Sequence, residues 1–276
     1  MTSIPLTRSG ESTGWLVLQA RLTANELTKG VTLMWRRRTM VVSFVLMNAV
    51  LYLGISLFIG GGHLVKPLLT LTLPALLAAT VALIAAQQGS GGIAEEINGG
   101  TLEQTQLSPA PPALHVFGRL GALAIEGLAA AAVLGTAFGF GFGLHYQPHQ
   151  GVLVPALLTM ADALGYGLLI VALTVRVASI GAVTHVFNMA VTFFGGTMVP
   201  VAVFPHAMET FARFIPTTLG VQALDTTLAG NPLSVVWANG TLPWLLVHAV
   251  VSLTLGWALY SANIRRARRE GGLSPR

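Results

Sequence analysis

An all-α membrane protein with six transmembrane helices is what this sequence predicts, with an N-terminal amphipathic interfacial helix and short re-entrant outer helices before the last span. Three observations predict it. Charged residues are 9% of the 276-residue chain, hydrophobic residues are 53%, and the mean hydropathy is +0.71. A soluble domain carries about 25% charged residues, and a particle this small cannot hide so much apolar surface from water. The apolar residues gather into runs long enough to cross a bilayer, and the basic residues gather at the ends of those runs. The same composition excludes a disordered chain. Cysteine is absent, which removes disulfide scaffolds, thiolate metal sites and thiol nucleophiles. The net charge of +5 reads as basic flanks of membrane spans and not as a nucleic-acid surface.

The first run is Thr39–Gly60, 22 residues without a charge. At 1.5 Å per residue it crosses a hydrocarbon core of about 30 Å. The others are Pro67–Ala86, Leu120–Leu144, Gly151–Val175, Val177–Pro200 and Leu242–Ile264. With the N-terminus in the cytoplasm, Arg8, Arg21, Lys29, Arg36, Arg37 and Arg38 lie inside, as do Arg119, Arg176 and the basic tail through Arg276. Of the 15 basic residues only Lys66 and Arg213 are left outside. This bias places both termini in the cytoplasm of a multi-pass inner (plasma) membrane protein. The whole chain, 1–276, is one transmembrane domain: 1–38 cytoplasmic or interfacial, 39–264 the spans, 265–276 the tail. The polar first fourteen residues do not have the form of a cleaved signal peptide.

Ahead of the first span, Trp15, Leu18, Leu22, Leu27, Val31 and Met34 recur at helical spacing, with Arg21, Glu26 and Lys29 between them. That is an amphipathic helix lying in the interface, with a break expected near Gly30 and Arg36–Arg38 at the water boundary. It is either a positive-inside anchor or an elbow that carries force into the first span. The cytoplasmic stretch after the second span is acidic at Glu95, Glu96 and Glu103, where the topology rule expects basic residues. Gly89–Gly92 reads as a helix end and Gly99–Gly100 as a turn. Thr101 with Gln104 resembles a capping box for a short helix that Ser108–Pro109 and Pro111–Pro112 stop. The loop is either a solvated connection or a docking element.

The string Glu95-Glu96-Ile97-Asn98-Gly99-Gly100-Thr101-Leu102-Glu103, followed by Leu107-Ser108-Pro109, resembles the signature of type-two ABC exporter permeases. Phe204-Pro205, then Ile215-Pro216-Thr217-Thr218-Leu219-Gly220-Val221-Gln222-Ala223-Leu224 and Ala229-Gly230, are similar to that family's outer region before the last span. Asp225 departs from the basic residue found there in many relatives. The resemblance implies a permease subunit that pairs with a second, identical or homologous permease. Two separate ABC ATPase subunits then bind the cytoplasmic side, carrying ATP and magnesium, while this chain binds no cofactor. Glu95, Glu96, Thr101, Leu102 and Glu103 match the ATPase-docking element, with a second contact from the N-terminal helix. A P-loop is absent: Lys29 and Lys66 are the only lysines, and neither completes a G-x-x-x-x-G-K-[ST] string.

The outer stretch 201–241 is too long for a simple connection. Met208, Phe211, Ala212 and Ile215 share one helical face, and Val221, Leu224 and Leu228 another, so two short helices dipping into the outer leaflet are expected, as an outer gate or a plain lid. Within the spans, Asp162 falls near the midplane, where a lipid-facing carboxylate costs roughly 3 kcal/mol. His185 is its expected partner. Glu126 and Arg119, seven apart, share a face near the cytoplasmic interface. Asp162, His185 and Glu126 are thus substrate-pathway residues or helix-to-helix links. Apolar spans suit an amphipathic or lipid-like cargo, a drug or natural product, and the 8% aromatic content leans away from a polysaccharide channel. The alternative is an ion- or proton-coupled carrier using those same three residues. An intramembrane enzyme is excluded by motif: Gly100 stands where a Glu-Glu-x-x-x-Arg protease needs arginine.

Overall fold

A computed structural model describes residues 11–102, 112–176 and 181–270. Among them every regular element is helical. Helix α1 spans Glu11–Arg36 and runs through Gly30 without the expected break. The glycine serves packing instead. A Cβ at Gly30 would lie 2.2 Å from the Ala122 Cβ, and one at Gly121 would lie 2.7 Å from Leu27 Cδ2. Small residues thus let α1 lie directly on α4, Pro112–Phe142. Arg37 alone separates α1 from α2, Arg38–Ile59. Only Tyr52 and Ser56 of α2 are buried. The Tyr52 hydroxyl reaches Thr72 Oγ1 at 2.9 Å and the Leu69 carbonyl at 3.1 Å on α3. Many of the apolar residues of α2, Val50 and Phe58 among them, are exposed surface suited to lipid.

Helix α3, Lys66–Asn98, is the longest at 33 residues. The helix end expected at Gly89–Gly92 does not occur. Each interior glycine costs about 1 kcal/mol in helix propensity, but a Cβ at Gly89 would sit 2.8 Å from Val171 Cγ2, so the glycine permits a close crossing. Pro67 falls in the first turn, where a missing N–H costs nothing. At 1.5 Å per residue α3 is about 50 Å long, well beyond a core of about 30 Å. It ends at the expected turn, where Gly100 takes a φ of +66°.

Helices α5, Leu153–Thr174, and α10, Thr241–Glu270, pack on each other most extensively, and α3 packs on α5. Small residues again set the approach. A Cβ at Gly167 would fall 2.6 Å from the Ala85 Cβ and 2.8 Å from its carbonyl carbon. Backbone cannot yield to a bulky side chain there, so Gly167→Leu is expected to cost roughly 2–3 kcal/mol. Thermal unfolding in detergent checks this, and an unchanged midpoint would show that α3 and α5 are not in such contact.

Five helices are long and apolar enough to cross a membrane among the described residues. The run Val177–Pro200 is not among them. It forms α6, Gly181–Phe194, of 14 residues, and then breaks at Gly195–Gly196; residues 177–180 lie outside the described residues. At about 21 Å, α6 is short of a full crossing of about 20 residues. The Tyr166 hydroxyl donates to Asn188 Oδ1 at 2.9 Å and ties α6 to α5. The stretch 201–241 holds three short α-helices where two were expected, after a 3-10 turn at Val201–Val203: α7, His206–Ala212; α8, Thr218–Leu228; and α9, Leu233–Ala238. Helix α8 is the buried one, packed against α5, α10 and α3.

Candidate functional site: the acidic end of α3 and a buried clamp

The C-terminal end of α3 carries the acidic pair, one turn before the Gly99–Gly100 turn. Both acids have partners in the chain. Arg37, at the joint between α1 and α2, donates to Glu95. Arg119, on α4, donates to Glu96. Thr101 Oγ1 lies 3.4 Å from the Glu96 carbonyl and is exposed. Leu102 turns inward and is 1% exposed, packed with Ile93, Val116, Leu120, Leu168 and Ile264. Glu103, Gln104 and the Ser108–Pro109 stop lie outside the described residues. Leu102 therefore fastens the segment to the bundle, and the two ion pairs fasten it to α1 and α4. Exposed pairs of this kind are worth about 0–1 kcal/mol each. Their importance is that they link three elements at one place.

Beside them a cleft of about 470 Å³ opens between α1, α3 and α4. Lys29, Arg37, Arg119, Glu95, Glu96 and Glu126 supply its charged lining. Glu126 is 8% exposed, and its carboxylate accepts no hydrogen bond among the described residues. It shares the cleft with Arg119 but does not pair with it, because Arg119 is turned to Glu96.

Asp162 lies midway along the spanning segment Gln150–Thr174 and is 1% exposed. The expected bond to His185 is absent. His185 is exposed on α6, whereas Asp162 is held by residues from two other elements. His248 Nδ1 lies 2.7 Å from Asp162 Oδ1, and Ser252 Oγ donates to the same oxygen at 3.2 Å. The backbone N–H of Thr217 donates to Oδ2 at 2.9 Å. His248 Nε2 in turn lies 3.2 Å from the Phe214 carbonyl. Both neighbours of the ring are acceptors, so it satisfies both when each nitrogen carries a proton. The clamp thus joins α5, α10 and the turn between α7 and α8. Thr217 itself has φ +75°, an outlying conformation for a β-branched residue, and the clamp holds its amide there.

The sequence reading missed His248, Ser252 and Thr217. One signal was present: His248 and Ser252 stand four apart in an otherwise apolar run, on one helical face. Nothing local to 214–217 marks it as a partner for a mid-membrane carboxylate.

A model of the family described as ABC-2 type transporter matches residues 26–228. Among curated proteins no relative matches. The matched stretch runs from within α1 to the end of α8. It therefore includes the Glu95–Glu103 string, the cleft, Asp162 and the strained Thr217, and it covers well over half of the chain. With several helices apolar enough to span a bilayer, the chain is a multi-pass membrane permease subunit and belongs to the ABC-2 type transporter family.

Proposed function

We propose that this permease works as the transmembrane half of an ATP-driven exporter for an amphipathic or lipid-like cargo, a drug or natural product. The observation that carries this reading is the form of α3. One continuous helix of 33 residues, with Pro74 inside its first third, runs from the outer turn to the acidic pair, and there it is tied to α1 and α4. Work done on its cytoplasmic end is transmitted along a rod. A partner can shift the bundle between two arrangements only if it binds them with different affinity. Ion pairs that join α1, α3 and α4 give it a place where such a difference is felt.

In this reading two ABC ATPase subunits, holding ATP and magnesium, dock on the segment Glu95–Glu103 and on α1. A second permease, identical or homologous, completes the pathway. Helix α6 with the turn after it serves as a sixth crossing, both termini face the cytoplasm, and the cell's inner membrane is the home of the assembly. The cleft at Glu126 is the inner end of the pathway. The clamp at Asp162 fixes the outer gate, since Thr217 reaches the middle of a spanning helix from the outer segment.

The coupled-carrier alternative needs Asp162, His185 and Glu126 to exchange protons. They stand apart in kind: a clamped carboxylate, an exposed imidazole and a cleft carboxylate on three different helices. Affinity purification of the chain from its native membrane tests the preferred reading. An ABC ATPase should come down with it. Purification without any nucleotide-binding protein, with the chain folded and able to transport, would overturn it.

A further inference from the structure

The outer half of the bundle contains two adjoining cavities that the cytoplasmic coupling end and the clamp do not use. The deeper one, about 360 Å³, lies between α3, α4, α5 and α8, walled by Leu77, Ala131, Met160 and Leu224. The shallower one, about 230 Å³, lies under the connection 143–149. Tyr146 and Leu228 line both, so the two are neighbours with a shared wall. The shallower one is the more polar of the two and carries a carboxylate. The deeper walls are almost wholly hydrocarbon, and Tyr146 has its hydroxyl committed to the Thr70 carbonyl at 3.0 Å. Asp225 is the one acidic or basic side chain, histidine aside, among the described residues lining either cavity. Its carboxylate accepts no hydrogen bond from any described residue.

We propose that the two cavities form one binding site for a cationic amphiphile, with its apolar body in the deeper chamber and an ammonium headgroup against Asp225. A volume of this size is within the usual range of small-molecule sites. Apolar walls without donors or acceptors select hydrocarbon, since a buried polar group would lose its hydrogen bonds. A partly buried carboxylate with no partner selects a cation and repels anionic heads. Burial pushes the Asp225 carboxyl up to about 7, so an empty site exchanges protons near neutrality while a bound cation holds the charged form. The role of this site in export rests on the function proposed above; the binding does not.

The test is equilibrium binding to the full chain in lipid nanodiscs, with empty nanodiscs as reference and no nucleotide or ATPase present. The probes are decyltrimethylammonium, decanol and decanoate. Decyltrimethylammonium should bind saturably, and Asp225→Asn should weaken it on the order of tenfold or more. Asp225→Glu should keep most of the affinity, which separates loss of charge from loss of fold. Leu77→Trp, which fills the deeper chamber, should abolish binding while the melting temperature is retained. Because this probe cannot titrate, its binding should fall several-fold from pH 8 to pH 6 as the carboxylate takes up a proton. His145 and Tyr146 are the other titratable groups lining the outer cavity, and the fall should persist in a His145→Gln background. Displacement by sphinganine points to lipid-like cargo and displacement by tetraphenylphosphonium to a drug-like one. The proposal is overturned if the cation binds no better than decanol, if Asp225→Asn binds as the parent does, or if neither competitor displaces it. Since no ATPase is present, that failure would leave the permease reading standing, and failed ATPase coupling would leave this site standing.

Discussion

Asp162→Ala is expected to be the most damaging single substitution in the membrane-embedded part, costing on the order of 3–5 kcal/mol. The carboxylate accepts from His248, Ser252 and the Thr217 amide at once. Removing it strands a buried amide and a ring nitrogen, and each unsatisfied group costs about 1–3 kcal/mol. It also frees Thr217 to leave its φ of +75°, so the outer segment should become open to added protease before the bundle unfolds. Asp162→Asn keeps the shape and one acceptor and should cost less. A double-mutant cycle in thermal unfolding should give a coupling of at least about 1 kcal/mol between Asp162 and His248. The same cycle between Asp162 and His185 should give none. Coupling to His185 and not to His248 would contradict the clamp.

Reversing the charges at Glu95, Glu96 and Glu103 together should release the ATPase, reducing its binding by at least about tenfold. Two causes are separable because of the internal pairs. Glu95→Arg alone places a second cation beside Arg37 and loosens the α1 joint; the swap Glu95→Arg with Arg37→Glu restores that pair with its polarity reversed. If Glu95 acts only by holding α1, the swap recovers ATPase binding. If it also meets the partner, the swap recovers the melting temperature but not the binding. The account expects the second result, read by co-purification alongside thermal unfolding. Full binding by the triple variant would remove the docking assignment.

Local signals carried far into this fold. Long apolar runs located five long apolar helices, because each residue's transfer free energy acts independently of its neighbours. The turn at Gly99–Gly100 was legible for the same reason, since glycine frees φ locally. What failed was non-local. Gly30 and Gly89 read as breaks, yet each is where another helix lies against the backbone. Sequence cannot tell a glycine that ends a helix from one that admits a neighbour. The partner of Asp162 was assigned by depth in adjacent runs, but α10 and not α6 is the helix packed on that face. The two arginines that pair with the acids were not legible either, because they come from 58 residues before Glu95 and 23 residues after Glu96. Asp225 stood out only as a departure from a resembling family, and its unpartnered setting needed the packing of α8 to become visible.

Reconstitution decides the central claim, that this permease borrows its work from a separate ATPase. The chain is placed in proteoliposomes alone, under an imposed proton gradient, and then together with its ATPase and magnesium-ATP, and accumulation of a labelled amphiphile is followed. The account expects transport only with the ATPase and hydrolysable ATP, and none from the gradient alone. Vigorous gradient-driven transport by the isolated chain, unaffected by the ATPase, would contradict it.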